Sequence, residues 1–272
     1  MAHLLTLYPL TTCLILSATG IMIGLLGGLL GVGGGIIAVP VLLEVFGSLD
    51  VPAQQIMPLS VGTAQASVLV ASITAAHAHW QAGTIDGALV RQWLPGLLLG
   101  TACGLVLGPF APAKLLTMAF AIVAGSLGVK MALGPLLVLS RHPLRGPIAQ
   151  IPPSLVGALA SALGVGGGTL STPTLALFSY PVQRAIGAGA LFNVVVALPA
   201  TIAFLSMTPQ TANRPADAVG DVALFCVAAL SLPALFVAPM AARWSTRVPI
   251  MLLRQGFALC LCAIAVRIVM RP

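Results

Sequence analysis

Long apolar runs, interrupted by short polar stretches, dominate the chain. Ten apolar segments can be drawn, at residues 11–31, 34–47, 56–79, 87–109, 113–139, 148–164, 167–180, 184–206, 219–240 and 249–269. A helix that crosses the hydrocarbon core needs about 20 apolar residues, and the second, sixth and seventh segments are shorter. The pattern predicts an all-α polytopic membrane protein with about eight full spans, plus half-helices or re-entrant limbs.

One short motif occurs twice inside this apolar sequence. The pentapeptide GVGGG stands at Gly31–Gly35 and again at Gly164–Gly168, separated by close to half of the 272-residue chain. Each copy is followed by a proline at the same spacing, Pro40 and Pro173. A Gly-rich break that recurs in both halves of an apolar chain is typical of transporters built from two repeats.

Other positions also match between the halves. Asp86 and Asp221, each close behind a glycine, are expected to open the fourth and ninth segments. An odd number of segments in each half would make the second half enter the membrane inverted. We therefore predict an N-terminal repeat over residues 1–140 and an inverted C-terminal repeat over residues 141–272, each carrying a Gly-broken helix.

Composition indicates that most of the protein surface faces lipid rather than water. Hydrophobic residues make up 59% and charged residues 6% of the chain, and the mean hydropathy is +1.09. Soluble domains carry about 25% charge, so the lipid bilayer is the expected partner. The net charge of +7 comes mostly from Lys and Arg at segment ends, where they contact lipid headgroups. A nucleic-acid partner is not expected.

The basic residues predict an orientation. In a five-plus-five arrangement one face carries Arg141, Arg145, Arg184, Arg243 and Arg247. The other face keeps Lys114, Arg214 and Arg271. The positive-inside rule places the first group in the cytoplasm, and both termini then lie outside.

Motifs for other chemistry are missing from the sequence. None of the five cysteines forms a CxxC pair or stands at metal-ligand spacing to a histidine. There is no HExxH, no GxSxG and no P-loop Lys-Ser/Thr after either Gly run. We expect no metal, no cofactor and no enzymatic activity.

The two breaks are the predicted substrate site. Glycine adopts backbone angles closed to other residues, and irregular backbone survives in a membrane only where it is buried or lines a cavity. A helix that starts just after each run would direct its free N–H groups at a small anion. Hydroxyl and amide side chains nearby could add donors. The predicted substrate-binding residues are Gly31, Gly33, Gly34, Gly35, Pro40, Ser60, Thr63, Gly164, Gly166, Gly167, Gly168, Thr169, Ser171, Thr172, Pro173 and Asn193.

Simpler explanations stay open for these residues. The glycines could serve only to let helices cross closely, and the hydroxyls could bond back to their own helices. Ionisable residues within apolar segments carry a functional hypothesis by default. Here these are Glu44, Lys130 and Arg254, and Asp86 lies within reach of Arg91.

The paired breaks and the two Gly–Asp turns resemble the signature of the TauE/SafE family, also called the sulfite exporter family. The resemblance extends over nearly the whole chain. It implies a multi-pass transporter in a prokaryotic cytoplasmic membrane that carries sulfur-containing or organic anions, such as sulfite or sulfonates. It does not fix the substrate or the direction of transport.

The sequence therefore predicts a permease for a small anion, working by alternating access at the two breaks. The alternative is a transporter or channel for another solute, a metal cation or a neutral organic compound. The series of glycines from Gly96 to Gly108 could serve a homo-oligomer or an internal helix contact equally well.

Overall fold

The computed structural model describes residues 8–49, 51–133, 146–178, 180–207 and 214–245, together with Gln255 and Val266. The predicted tenth segment lies outside the described residues apart from those two positions. So do both chain ends and the basic residues Arg141, Arg145, Arg247, Arg254 and Arg271. The side chain of Lys130 is also outside the described part. The repeat boundary and the location of the termini therefore stay predictions.

Helices account for most of the described chain. Their bounds are α1 Leu10–Leu30, α2 Gly35–Gly47, α3 Ala53–Gln81, α4 Gly87–Leu107, α5 Ala113–Leu133, α6 Ile151–Leu163, α7 Gly167–Leu177, α8 Val182–Ser206 and α9 Leu224–Trp244. Short 3₁₀ turns at Gly108–Phe110 and Pro147–Gln150 adjoin α4 and α6. Among the described residues, five helices (α1, α3, α4, α8 and α9) are long and apolar enough to cross a membrane. The chain is a polytopic, mostly helical membrane protein, and α2, α6 and α7 are short as expected.

The ninth predicted segment begins earlier than the helix it describes. Residues Ala218–Val219 and Val222–Ala223 form a small antiparallel hairpin, β1 and β2, and α9 starts only at Leu224. The turn depends on Gly220, whose φ of 56° lies in the left-handed region. The expectation that Asp221 opens this helix is therefore wrong, and the architecture is not purely α-helical.

Asp86, by contrast, opens its helix as predicted. Its carboxylate accepts the backbone N–H groups of Ala88 and Leu89 at 3.0 and 3.3 Å, which caps α4. Its ionic partner is Arg184, at 3.3 Å, and not the predicted Arg91.

Helices α3 and α8 form the antiparallel centre of the bundle. Gly62 near the start of α3 lies against Phe204 near the end of α8, while Ala76 and Ala190 pack together at their other ends. The end of the molecule at the start of α3 is called here the proximal face, and the end at His79 the distal face.

Two parallel helix pairs flank this centre, and small residues hold each pair together. Gly20 and Gly28 of α1 lie against backbone carbonyls of Leu230 and Ala238 of α9, with no room for a Cβ. The Gly96–Gly104 series of α4 contacts α6 in the same way, with Gly100 against Ser154. The glycine series of α4 thus makes an internal helix contact, in which the backbones of α4 and α6 approach each other closely.

Candidate functional site

Both GVGGG motifs end one helix and begin another within a few residues. Gly31 and Gly164 cap α1 and α6 in the left-handed conformation, with φ of 65° and 73°. This is the cap for which glycine is favoured. The backbone of residues 31–39 and 164–171 is buried throughout, so the irregular segments are shielded from lipid, as a membrane requires.

The two breaks contact each other directly. A Cβ at Gly35, the first residue of α2, would overlap the carbonyl oxygen of Gly164. A Cβ at Gly168, in the first turn of α7, would overlap the carbonyl oxygen of Gly31. Each half-helix therefore starts against the C-cap of the other break, and no cavity separates the two in this conformation.

Asn193, near the middle of α8, links the breaks. Its Oδ1 accepts the N–H of Gly168 at 2.6 Å, and its Nδ2 donates to the carbonyl of Gly31 at 3.1 Å. The side chain is 1% exposed. Atoms added as Cβ at Gly33 and Gly166 would lie 2.5 and 2.7 Å from the same Oδ1. One amide thus touches both motifs.

The half-helices that leave the breaks run in opposite directions. Along α7, Gly168 lies against Gly189 and Thr172 reaches the carbonyl of Ala185, so α7 runs towards the start of α8. Along α2, Val39 lies beside Gly164 and the chain continues to the start of α3. Since α3 and α8 are antiparallel, the positive N-terminal ends of α2 and α7 meet at the centre of the bundle.

The hydroxyls of the second break are mostly engaged with the backbone. Thr169 donates to the carbonyl of Val165, and Thr174 donates to that of Leu170 at 2.6 Å. Ser171 is fully buried and has no hydrogen-bond partner among the described residues. The simpler expectation of back-bonding therefore describes the two threonines, and Ser171 is the free donor.

The predicted hydroxyls of α3 divide in the same way. Thr63 accepts the N–H of Ala223 at 3.0 Å and so holds the hairpin before α9. Ser60 is fully buried, and its hydroxyl is without a hydrogen-bond partner in the described part of the chain. Pro40 and Pro173 lie inside α2 and α7, where each removes one helical N–H donor.

A cavity of about 500 Å³ opens near the proximal face. It lies between α3, α4, α6 and α8, and none of the predicted site residues is among the described residues that line it. Its lining includes Val61, whose Cα is 3.0 Å from the Cβ position of Gly164. One residue of the cavity wall therefore contacts the second break.

An ion pair forms one wall of this cavity. Nη2 of Arg214 lies 2.7 Å from Oδ1 of Asp221, and both side chains are about nine-tenths buried. Arg214 also donates to Oε1 of Gln55 at 2.7 Å and to the carbonyl of Gly220 at 2.5 Å. These contacts fix the hairpin segment to the start of α3.

The loop before α9 is held from its other side as well. The hydroxyl of Tyr8 donates to Asp217 at 3.0 Å, and the other carboxylate oxygen of Asp217 accepts the N–H of Phe225 at 2.8 Å. Burial, reinforced by the nearby Cys226 and Asp217, raises the pKa of Tyr8. The phenol thus stays protonated and keeps donating.

The cavity and its ion pair were missed by sequence reasoning. The charge pattern places Arg214 only at the edge of an apolar segment, and nothing in the sequence around Gln55 marks it as a site residue. The available signal was an arginine and an aspartate close together at the edge of an apolar segment, a pattern that carries a functional hypothesis. Among the described residues there is no cluster of His, Cys, Asp and Glu able to hold a metal ion.

Comparison with known proteins identifies one matching family and several relatives. The family model described as Sulfite exporter TauE/SafE matches residues 16–268. A probable membrane transporter protein of Haemophilus influenzae is 28% identical over 266 residues, covering 96% of this chain and 99% of the relative. A probable membrane transporter protein of Methanocaldococcus jannaschii is 27% identical over 175 residues, covering 63% of this chain and 64% of the relative. No solved structure matches the chain.

Proposed function

The chain belongs to the sulfite exporter TauE/SafE family of membrane transporters, and from that premise we propose that it is a secondary transporter of small sulfur-containing or organic anions, such as sulfite or sulfonates. The anion binds where the two GVGGG breaks meet. Two repeats of opposite orientation rock about this point and expose it to each face in turn.

Symmetry in the helix contacts supports the two-repeat proposal. Exchanging α1–α4 with α6–α9 turns each main contact into another one. The pair α1–α9 corresponds to α6–α4, the pair α2–α3 to α7–α8, and the pair α3–α9 to α8–α4. The central α3–α8 pair corresponds to itself. A two-fold axis in the membrane plane would produce this pattern.

The observation that carries the anion proposal is the convergence of two helix N-termini on Asn193. Each N-terminus is equivalent to roughly half a positive charge, and a buried site with little water strengthens that field. Ser60 and Ser171 add buried hydroxyls without hydrogen-bond partners among the described residues. An oxyanion that accepts several hydrogen bonds suits such a site without a buried cation.

Opening this site requires the breaks to separate. In the described conformation the Asn193 amide is hydrogen-bonded to the N–H of Gly168 and to the carbonyl of Gly31. An arriving anion would replace the amide oxygen at the N–H of Gly168. The Asn193 amide thus takes the place of the substrate as hydrogen-bond partner for these buried backbone groups when no substrate is bound.

Flux measurement in proteoliposomes tests the proposal. Labelled sulfite and sulfoacetate should show saturable uptake and counterflow, with chloride and a divalent cation as comparison solutes. Saturation with mutual competition between the oxyanions is the expected result. Flux of the cation or of a neutral solute alone, by folded protein, would contradict it, and unsaturable flux without counterflow would indicate a channel.

The proposed location is a prokaryotic cytoplasmic membrane with the distal face inside. Arg184 starts α8 and Arg243 ends α9, so both lie at the distal face. Lys114 and Arg214 lie at the proximal face. This grouping supports the orientation expected from the positive-inside rule, with both termini outside. Cysteine labelling of the two termini from one side of the membrane tests it.

A further inference from the structure

The cavity at the proximal face is too large and too apolar for a bare oxyanion. Its volume of about 500 Å³ falls in the range of about 300–1,000 Å³ that suits organic ligands. Most of its wall is hydrophobic, with Met57, Leu105 and Phe204 among the lining residues. Sulfite alone would leave these apolar surfaces in contact with water or with nothing.

Three polar residues of the cavity wall lie together. Arg214, which contacts both Asp221 and Gln55, lines the cavity with them. Nε2 of Gln55 is buried and has no hydrogen-bond partner among the described residues. The guanidinium of Arg214 makes three contacts to protein oxygens, and a guanidinium has further N–H groups to donate. An unused buried donor beside a cation, in an apolar enclosure, points to an anionic head group with an apolar body.

We infer that this cavity is a binding site, distinct from the breaks, for a monovalent organic anion with a compact apolar body. The sulfonate or carboxylate head contacts Arg214 and Nε2 of Gln55, and the body packs against Met57, Leu105 and Phe204. The inference extends the proposed function. It rests on that function in one respect, that the bound ligand is a transported substrate. It assigns selection between organic and inorganic anions to the cavity.

The charge of the pair explains why one negative charge is preferred. Asp221 neutralises Arg214, which lowers the cost of burying the guanidinium. A monovalent head can share the guanidinium with Asp221, whereas a dianion would meet the carboxylate with a second charge and little compensation. The site is therefore expected to select against sulfite dianion.

One position in the cavity wall accepts a Cβ without a close contact to the backbone. A Cβ at Gly108 would lie 3.7 Å from the Cβ of Ala162, an ordinary contact, and Gly108 lines the cavity. Gly47 is the matched control, since a Cβ there meets nothing within 4 Å and it is not among the cavity-lining residues. Binding of benzenesulfonate, methanesulfonate and sulfite to purified protein would be measured by titration calorimetry.

In wild-type protein benzenesulfonate should bind more tightly than methanesulfonate or sulfite. Gly108→Phe should weaken benzenesulfonate binding by about tenfold or more, equivalent to about 1.4 kcal/mol, and Gly47→Phe should leave it within about twofold. Equal affinity for benzenesulfonate and methanesulfonate in wild-type protein overturns the inference. So does unchanged benzenesulfonate binding in folded Gly108→Phe.

A second pair of variants tests the head group. Arg214→Gln with Asp221→Asn removes both charges together and avoids an unpaired buried charge. Benzenesulfonate affinity should fall by about tenfold, while the neutral benzenesulfonamide should bind as before. The control Asp86→Asn with Arg184→Gln neutralises the more exposed pair at the distal face and should change neither. A parallel loss of both ligands in the Arg214 variant overturns the assignment of the head group.

Flux separates failure of this inference from failure of the proposed function. Sulfite counterflow in proteoliposomes with no preference for benzenesulfonate leaves the transporter standing and removes the cavity site. Cavity-dependent benzenesulfonate binding, with no anion flux by the same preparation, supports the cavity site and removes the transport proposal.

Discussion

The two breaks share five identical residues, but the central helices that face them do not match. Break one and break two have the same left-handed C-caps and the same close contact with the opposite half-helix. The facing side chains differ, however: α8 contributes Asn193 to the contact between the breaks, whereas the predicted site residues of α3 are Ser60 and Thr63. Asn193 satisfies backbone groups of both breaks, whereas Ser60 has no partner among the described residues.

The difference shows that repeated backbone geometry does not imply repeated chemistry. Glycines set the path of the chain, and both copies keep the left-handed C-cap, although α2 starts at the fifth residue of its motif and α7 at the fourth. The side chains that supply or occupy hydrogen bonds come from elsewhere, and they have diverged. A bound anion would meet an amide from one half and a hydroxyl from the other, so the two half-sites are expected to contribute unequally to affinity.

The largest effect is expected from a substitution that crowds the contact between the breaks. Gly168→Ala places a Cβ against the carbonyls of Gly31 and Gly189. This steric overlap can be relieved only if the backbone shifts. Overpacking of this kind costs about 3 kcal/mol, and we expect transport to be abolished. Thermal unfolding and sulfite flux measure the two effects.

Gly27→Ala is the matched control for that change. A Cβ at Gly27, also in an apolar helix beside a break, meets nothing within 4 Å. Alanine should stabilise α1 by up to about 1 kcal/mol and leave flux unchanged. Equal losses in Gly168→Ala and Gly27→Ala would show that the contact between the breaks is unimportant.

The second effect comes from removing the amide that joins the breaks. Asn193→Ala leaves the N–H of Gly168 and the carbonyl of Gly31 without their partner. A buried unsatisfied group costs about 1–3 kcal/mol, so the melting temperature should fall and the transport rate with it. Asn193→Asp keeps the acceptor for Gly168 but adds a negative charge at the anion site. It should raise the apparent KM for sulfite more than Asn193→Ala does. A lower KM in Asn193→Asp would contradict an anion site here.

Much of the fold follows from local sequence signals. Apolar length predicts the helices, and the paired glycines predict where α1 and α6 end, because glycine readily adopts the left-handed conformation of a helix C-cap. The start of α9 was misplaced because apolarity continues through residues 219–223, and hydropathy cannot tell a short hairpin from the first turn of a helix.

The site was predictable only in part. Its glycines were visible as a repeat, but the pairing of Gly35 with Gly164 and of Gly168 with Gly31 is a tertiary contact across the two halves. The role of Asn193 depends on the antiparallel crossing of α3 and α8. The pairing of Arg214 with Gln55 joins residues far apart in the chain, and spacing alone carries no signal for it.

A smaller effect is expected at Thr63 of α3. Thr63→Val removes the hydroxyl and keeps a β-branched side chain. The N–H of Ala223 loses its acceptor, so stability should fall by about 1 kcal/mol. Because Thr63 holds the hairpin rather than an anion, flux per folded molecule should stay within about twofold of wild type. A selective loss of sulfite affinity in this variant would instead place Thr63 in the substrate site.

The smallest effect on stability and the sharpest test of the comparison belong to Ser60. Its hydroxyl is buried without a partner among the described residues, so Ser60→Ala removes an uncompensated polar group and should leave stability unchanged or slightly higher. If that hydroxyl donates to a bound anion, the same variant raises the KM for sulfite several-fold while the melting temperature holds. Stability and affinity then move independently, which a merely structural residue would not allow. An unchanged KM in Ser60→Ala would assign the anion to the Asn193 half alone.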